Sequence, residues 1–160
     1  MGKLARKALA HYIDSTFSSS GSPDWFLIGK DIEEMAVELN PDTESKENIL
    51  GETTVTDNGY EVTMSADPYY ANPDDAIYDK IKDIAMNRLK GDSCKTTILE
   101  VIVKDTTGPH EAWIEDVVIK PQSYGGDTSG IQIPFDVLFD GNRKKGTVTM
   151  EGTTPTFTPS

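Results

Sequence analysis

The sequence predicts a mainly β (α+β) fold, an antiparallel β-sandwich or barrel with one packed α-helix. Three observations predict it. Apolar and polar residues alternate in several short runs, turn residues punctuate those runs, and one stretch alone carries helical spacing with signals at both ends. At 160 residues, 36% of them hydrophobic, the chain has the size and the apolar content for one domain with a real core.

Along the chain, residues 1–22 read as a flexible N-terminal arm, with a Ser- and Gly-rich hinge over residues 15–24. Residues 23–150 read as the folded body, opening on the apolar run Trp25 to Gly29. Met35, Val37 and Leu39 alternate with polar or small residues, a half-buried strand pattern. Residues 40–58 form a long polar segment with little β signal, and a loop of that length in a compact domain is usually functional or disordered. Asn58-Gly59 offers a turn, and Val62, Met64 and Ala66 alternate up to Asp67-Pro68.

The helix is expected over about 73–90. Asn72 can cap it, Pro73 fits its first position, and Asp74 and Asp75 favour the positive end of the dipole. Ile77, Ile81, Ile84, Ala85 and Leu89 share one face, and Gly91 closes the helix after Arg88 and Lys90. Burying its four large side chains contributes roughly 6–12 kcal/mol, which requires a sheet beneath.

Ile98 to Val103 and Ala112 to Ile119 read as strands covered on both faces. Ile131, Ile133, Phe135, Val137 and Phe139 alternate next. Asp140-Gly141-Asn142 is expected to reverse the chain into a returning strand through Thr147 to Met150. Residues 151–160 read as an irregular C-terminal tail.

Charge and motifs narrow the function. Twenty-seven acidic residues against 15 basic give a formal net charge of −12, a poor match to a phosphate backbone. The single cysteine, Cys94, allows no intrachain disulfide. No stretch approaches the roughly 20 apolar residues of a membrane helix. The short apolar run near the N-terminus is interrupted by His11 and closed by Asp14, which argues against a signal peptide.

No catalytic motif stands. Gly126-Asp127-Thr128-Ser129-Gly130 mimics a nucleophile elbow, but a strand follows it where a helix is needed. Gly141 and Gly146 have phosphate-loop spacing, but Thr147 stands in place of the lysine. Neither His11 nor His110 has a metal partner at helical spacing, and the acidic run at residues 31–34 lacks the spacing of a calcium loop. No catalytic residue, cofactor or metal is expected.

Several ordered segments together resemble the major tail tube proteins of long-tailed bacteriophages. They are Trp25-Phe26-Leu27-Ile28-Gly29-Lys30-Asp31-Ile32-Glu33-Glu34, Leu39-Asn40-Pro41, Asn48-Ile49-Leu50-Gly51 and Gly59-Tyr60-Glu61-Val62. The Gly125 to Gly130 loop and Phe139-Asp140-Gly141 with Gly146-Thr147-Val148 continue the match, which covers residues 23–150. The resemblance implies a tail-tube-like fold, and homo-hexameric rings stacked into a tube whose lumen conducts DNA without specific binding. It implies tape measure, tail terminator and tail tip proteins as partners, no membrane, and a place in a virion tail made in the bacterial host cytoplasm. It assigns inter-subunit contacts to residues 40–58, 1–22 and 151–160, and we expect Asp42, Glu44, Lys46 and Glu47 in the oligomer interface. An acidic lumen would repel DNA over about 8 Å at physiological salt.

Two alternatives stand beside it. One is the tube of a contractile tail, a tail-like bacteriocin or a type VI secretion apparatus, which share the fold. The other is a carbohydrate-binding β-sandwich presenting Tyr69, Tyr70 and Tyr124, although Tyr69 and Tyr70 are expected to pack at the strand-to-helix corner.

Overall fold

The computed structural model describes residues 3–17, 23–30, 32–103, 108–152 and 154–160. Gly2, residues 18–22 of the expected hinge, Asp31 of the resemblance motif and Thr153 lie outside the described residues.

A 3-10 turn, Arg6–Ala8, leads into strand β1 (Leu9–Asp14), followed by β2 (Trp25–Ile28), β3 (Val37–Glu38), β4 (Pro41–Glu47), β5 (Thr53–Tyr60) and β6 (Thr63–Ala66). Helix α1 (Tyr78–Asn87) and a second 3-10 turn (Gly91–Cys94) precede β7 (Lys95–Ile102) and β8 (His110–Pro121). The remaining strands are β9 (Gly125–Asp127), β10 (Gly130–Gln132), β11 (Phe135–Glu151) and β12 (Thr154–Pro159). Among the described residues, eight strands form one antiparallel sheet in the order β2-β1-β7-β8-β11-β6-β3, with β12 on the second half of β11. The pairs β9–β10 and β4–β5 are separate hairpins.

The sheet curls, because residues from both of its ends share one core. Ile28 of β2 and Met64 and Ala66 of β6 meet Ile13, Ile98, Val117, Ile119, Phe135 and Val137 on the concave face. Ile77 and Ile81 join them, so α1 closes this core as its spacing predicts. Alternation sends Tyr12, Leu99 and Val101 to the opposite face, where they cluster with Ala112 and Val148. The expectation of strands covered on both faces therefore holds for β7.

Several expectations need correction. Residues 9–14, read as part of a flexible arm, are β1, paired on both sides to β2 and β7 with Ile13 fully buried. The stretch read as a hinge is the β1–β2 connection. Its described ends are fixed by the buried Asp14, whose carboxylate accepts the Thr16 and Asp24 amides at 3.0 and 3.2 Å. The helix is shorter than expected. Asn72 accepts the Asp74 amide at 3.0 Å, but it organises a turn, and α1 proper begins at Tyr78. Arg88, in the left-handed region at φ 51°, ends the helix ahead of Gly91. The segment read as an irregular tail contributes β12.

The largest difference lies at residues 140–146. No chain reversal occurs, and β11 runs on from Phe135 to Glu151. Five steps of β11, from Phe139 to Lys144, span three of β8, from Val117 to Ile114, so two extra residues are absorbed as bulges. Gly141 at φ 100° and Asn142 at φ 59° supply the positive angles. The residues that favour a tight hairpin serve equally well in a bulge.

Truncating Ile81 to alanine should cost about 2–5 kcal/mol in denaturant unfolding, since its side chain is fully buried under the sheet. Gly146→Ala is a sharper probe. A Cβ there would run into the backbone carbonyl of Thr158 and the ring of Phe157. Hydrogen exchange should then rise across residues 154–159 while β7 and β8 stay protected. Unchanged exchange in β12 would show that the close approach is dispensable.

Candidate functional site: an exposed hairpin and a buried charge cluster

The polar segment 40–58 is a long ribbon. In it β4 pairs with β5 from Glu47–Thr53 down to Pro41–Tyr60, with one bulge near the base. The β signal is carried by Thr53-Thr54-Val55-Thr56, a β-branched run whose lack of large apolar residues hid it. Seven residues of β4 reach roughly 23 Å at ~3.3 Å each. Every residue of both strands is exposed except Gly59, so neither face of the ribbon packs on the body.

Both ends of the ribbon are built. At the base Asn40, at φ 44°, donates from its side-chain amide to the Glu61 carbonyl at 2.9 Å and clasps the two legs together. At the tip the Asn48 side-chain oxygen accepts the amides of Leu50 and Glu52 at 2.9 and 3.0 Å, and Gly51 turns at φ 79°. This ordered turn presents Ile49, 102% exposed, and Leu50, 77% exposed, to solvent. Asp42, Glu44, Lys46 and Glu47 all lie on β4 and are exposed. Lys46 and Glu44 approach within 3.9 Å, a surface pair of little energetic weight.

A second constellation sits in the body, and sequence reasoning missed it. The carboxylates of Glu100 on β7 and Glu115 on β8 are buried side by side on the concave face. Arg143, carried in by the β11 bulge, donates to both at 2.7 and 2.8 Å. The second Glu115 oxygen accepts the Gly141 amide at 3.1 Å, which ties the bulge to the sheet. His11 Nε2 lies 3.2 Å from Glu100, and Arg143 and Lys145 both approach the Trp113 ring, at 5.8 and 5.9 Å. Burial alone would push Glu100 up, but the hydrogen bonds and charges of His11 and Arg143 outweigh it and hold its carboxyl below the ordinary 4.5. Only the odd spacing of Glu100 and Glu115 within apolar strands hinted at this cluster.

The cluster has the architecture of a structural lock: its carboxylate oxygens are spent on the guanidinium, the imidazole and the bulge amide. Among the described residues no group of three or more His, Cys, Asp or Glu side chains has a metal-binding arrangement. Thr128 and Ser129 occupy the tight turn of the β9–β10 hairpin, with no helix after them. Tyr69 is buried edge-on against Phe135 and donates to Asp75 at 3.2 Å, as the corner-packing reading expects. Burial, with Asp75 beside it, raises its pKa. Cys94 is buried and donates to the Leu89 carbonyl at 3.3 Å, where Lys120 also donates.

No protein-family model matches the sequence, and neither does any curated protein. The fold is similar to that of a solved chain, the sheath/tube terminator of the extracellular contractile injection system PVC in its extended state. The TM-score is 0.53 and the identity 12%, over 91% of this chain and 97% of that one. At that identity the likeness is one of fold.

Replacing Arg143 with methionine leaves two buried carboxylates without their cation. The change should cost about 3 kcal/mol in urea unfolding, the low end for a broken buried pair because Arg143 is partly exposed. Glu100 also predicts a pH dependence. Its depressed folded value means that its contribution is complete above the ordinary 4.5 and is lost as pH falls through the lower folded value. Glu100→Gln should therefore flatten the acid limb of the stability curve below about pH 4.5, and an unaltered limb would assign acid unfolding to other carboxylates.

Proposed function

We propose that this chain is a non-catalytic structural subunit of a bacteriophage tail tube. In this reading copies close head to tail into hexameric rings, and the rings stack around a lumen that conducts DNA during ejection. The hairpin β4–β5 carries the reading. A two-stranded ribbon with no packed face is marginal in water, and this one displays Ile49, Leu50 and Val55. A fully formed arm of this kind is suited to lie on a neighbouring molecule. The sheet ends at β2 and β3 add strand edges that a ring of copies could pair or cover. The resemblance of residues 23–150 to tail tube proteins and the fold likeness to a tail-type terminator support the same assignment. Tape measure, terminator and tip proteins are its partners in such a particle.

One observation favours a second reading. The similar solved chain is described as a sheath/tube terminator of a contractile system. A terminator caps a tube, whereas a tube protein propagates it. Negative-stain microscopy over a concentration series separates them, because a tube subunit gives hollow tubes that lengthen with concentration and a terminator stops at single rings. A protein that remains monomeric even when mixed with its tail partners would count against both.

Joint reversal of Asp42, Glu44 and Glu47 to lysine should suppress stacking. Unfolding free energy should move by no more than about 0.5 kcal/mol per site, because the residues are exposed. Tubes of normal length from that variant would remove these residues from the interface.

A further inference from the structure

A groove of about 440 Å³ runs along the start of β1 and the end of β2, with Leu9, Ile32 and Met35 among its apolar walls and Arg6 and Lys7 among its charged ones. Leu9 is 37% exposed although it is a strand residue, on the same face as His11. The walls are held in place. The Arg6 guanidinium donates to the Leu9 carbonyl at 2.7 Å and to the Met35 carbonyl at 3.0 Å, which joins the two sides of the groove while leaving the arginine charge at its edge. His11 also lines the groove. Its Nε2 meets Glu100, but its buried Nδ1 has no hydrogen-bond partner.

We infer that this groove is the receptor for the β4–β5 hairpin tip of a second copy of the chain, with Ile49 and Leu50 inserted among Leu9, Ile32 and Met35. The inference rests on the tube-subunit reading and deepens it by naming the two surfaces that meet.

Two physical matches support the pairing. Apolar surface is presented at both places, at the tip in a turn pre-formed by Asn48 and in the groove by walls pre-formed by Arg6. Preorganisation on both sides lowers the ordering cost of association. The charges are also complementary. Residues 41–60 carry Asp42, Glu44, Glu47, Glu52 and Asp57 against Lys46, five acids less one lysine, or −4. The groove offers Arg6 and Lys7 against Glu33. An acidic stem behind an apolar tip thus approaches a basic-edged apolar slot, an arrangement that steers the encounter and fixes its direction. The chain does not fill its own groove, because its tip is fully exposed. A tip and a slot at different places on one molecule make a heterologous contact, which propagates through a ring or a filament instead of ending at a dimer.

The test is a full-length Leu9→Cys/Leu50→Cys variant, oxidised gently and run on a non-reducing gel. Cys94 is buried, so it can remain. Both substituted positions are exposed, and an unchanged circular dichroism spectrum checks the fold. A ladder of dimers, trimers and higher species, absent from each single-cysteine variant, is expected. In parallel, Ile49→Asp/Leu50→Asp should weaken self-association measured by sedimentation about 100-fold. A ladder with no tubes in micrographs would support the tip-to-groove contact and sink the tube reading. Tubes with no ladder would do the reverse. An intrachain link that leaves only a monomer band, or no ladder at the highest soluble concentration, overturns the inference.

Discussion

The contact of Arg143 with the buried Glu100 and Glu115 holds the bulge of β11 against the sheet. That strand has different neighbours along its length. Its first residues lie between β8 and β6, and its last lie between β8 and β12. Where β11 passes from one of these neighbours to the other, its register with β8 shifts. Two extra residues between Phe139 and Lys144 absorb the shift, and Glu115 secures them through the Gly141 amide as well as through Arg143. Charge is buried here at a point where the backbone deviates, and the hydrogen bonds that compensate the burial also hold the bulge.

The body and the hairpin follow opposite economies. Beneath the sheet Ile13, Ile77, Ile81, Ile98 and Val137 are fully buried, and α1 seals the concave core. The hairpin buries almost nothing, yet it is specified residue by residue, by Asn40 at the base and Asn48 at the tip. Order without burial is what a segment requires when its remaining stabilisation comes from another molecule. The position of Asn40, between β3 and β4, also ties the direction of the arm to the sheet edge that carries it.

Much of the body was legible in the sequence because it obeys period-two and period-3.6 patterning. The strands β7 and β8, the alternation at Met64 and Ala66, and the buried face of α1 all announce themselves through apolar spacing. The parts that were not legible fail for separate reasons. β1 was obscured by His11 and Asp14, polar residues that are buried because Glu100 and the β1–β2 connection receive them. The ribbon was obscured because it has no core face, so β-branched threonines carry its strand character with no alternation. The β11 bulge was hidden by degeneracy, since Gly141-Asn142 suits a reversal and a bulge alike. The charge cluster depends on residues from four strands, and nothing local in the sequence links them.

The placement of β1 also bears on how the chain acquires its structure. Ile13 lies opposite Ile98, so the first strand has no inner neighbour until β7 exists. The β7–β8 pair, joined by a short connection, closes cheaply, and β11 can add to it next. Seating β1 requires closure of a loop that contains the helix and the whole projecting ribbon, so its loss of chain entropy precedes any reward from packing. On that cost, the pairing of β7, β8 and β11 is expected to precede the seating of β1 on β7. The groove beside β1 and β2 is drawn almost wholly from residues 6–35, but it also takes in Val103 just past β7, so it is whole only once β1 is seated on β7.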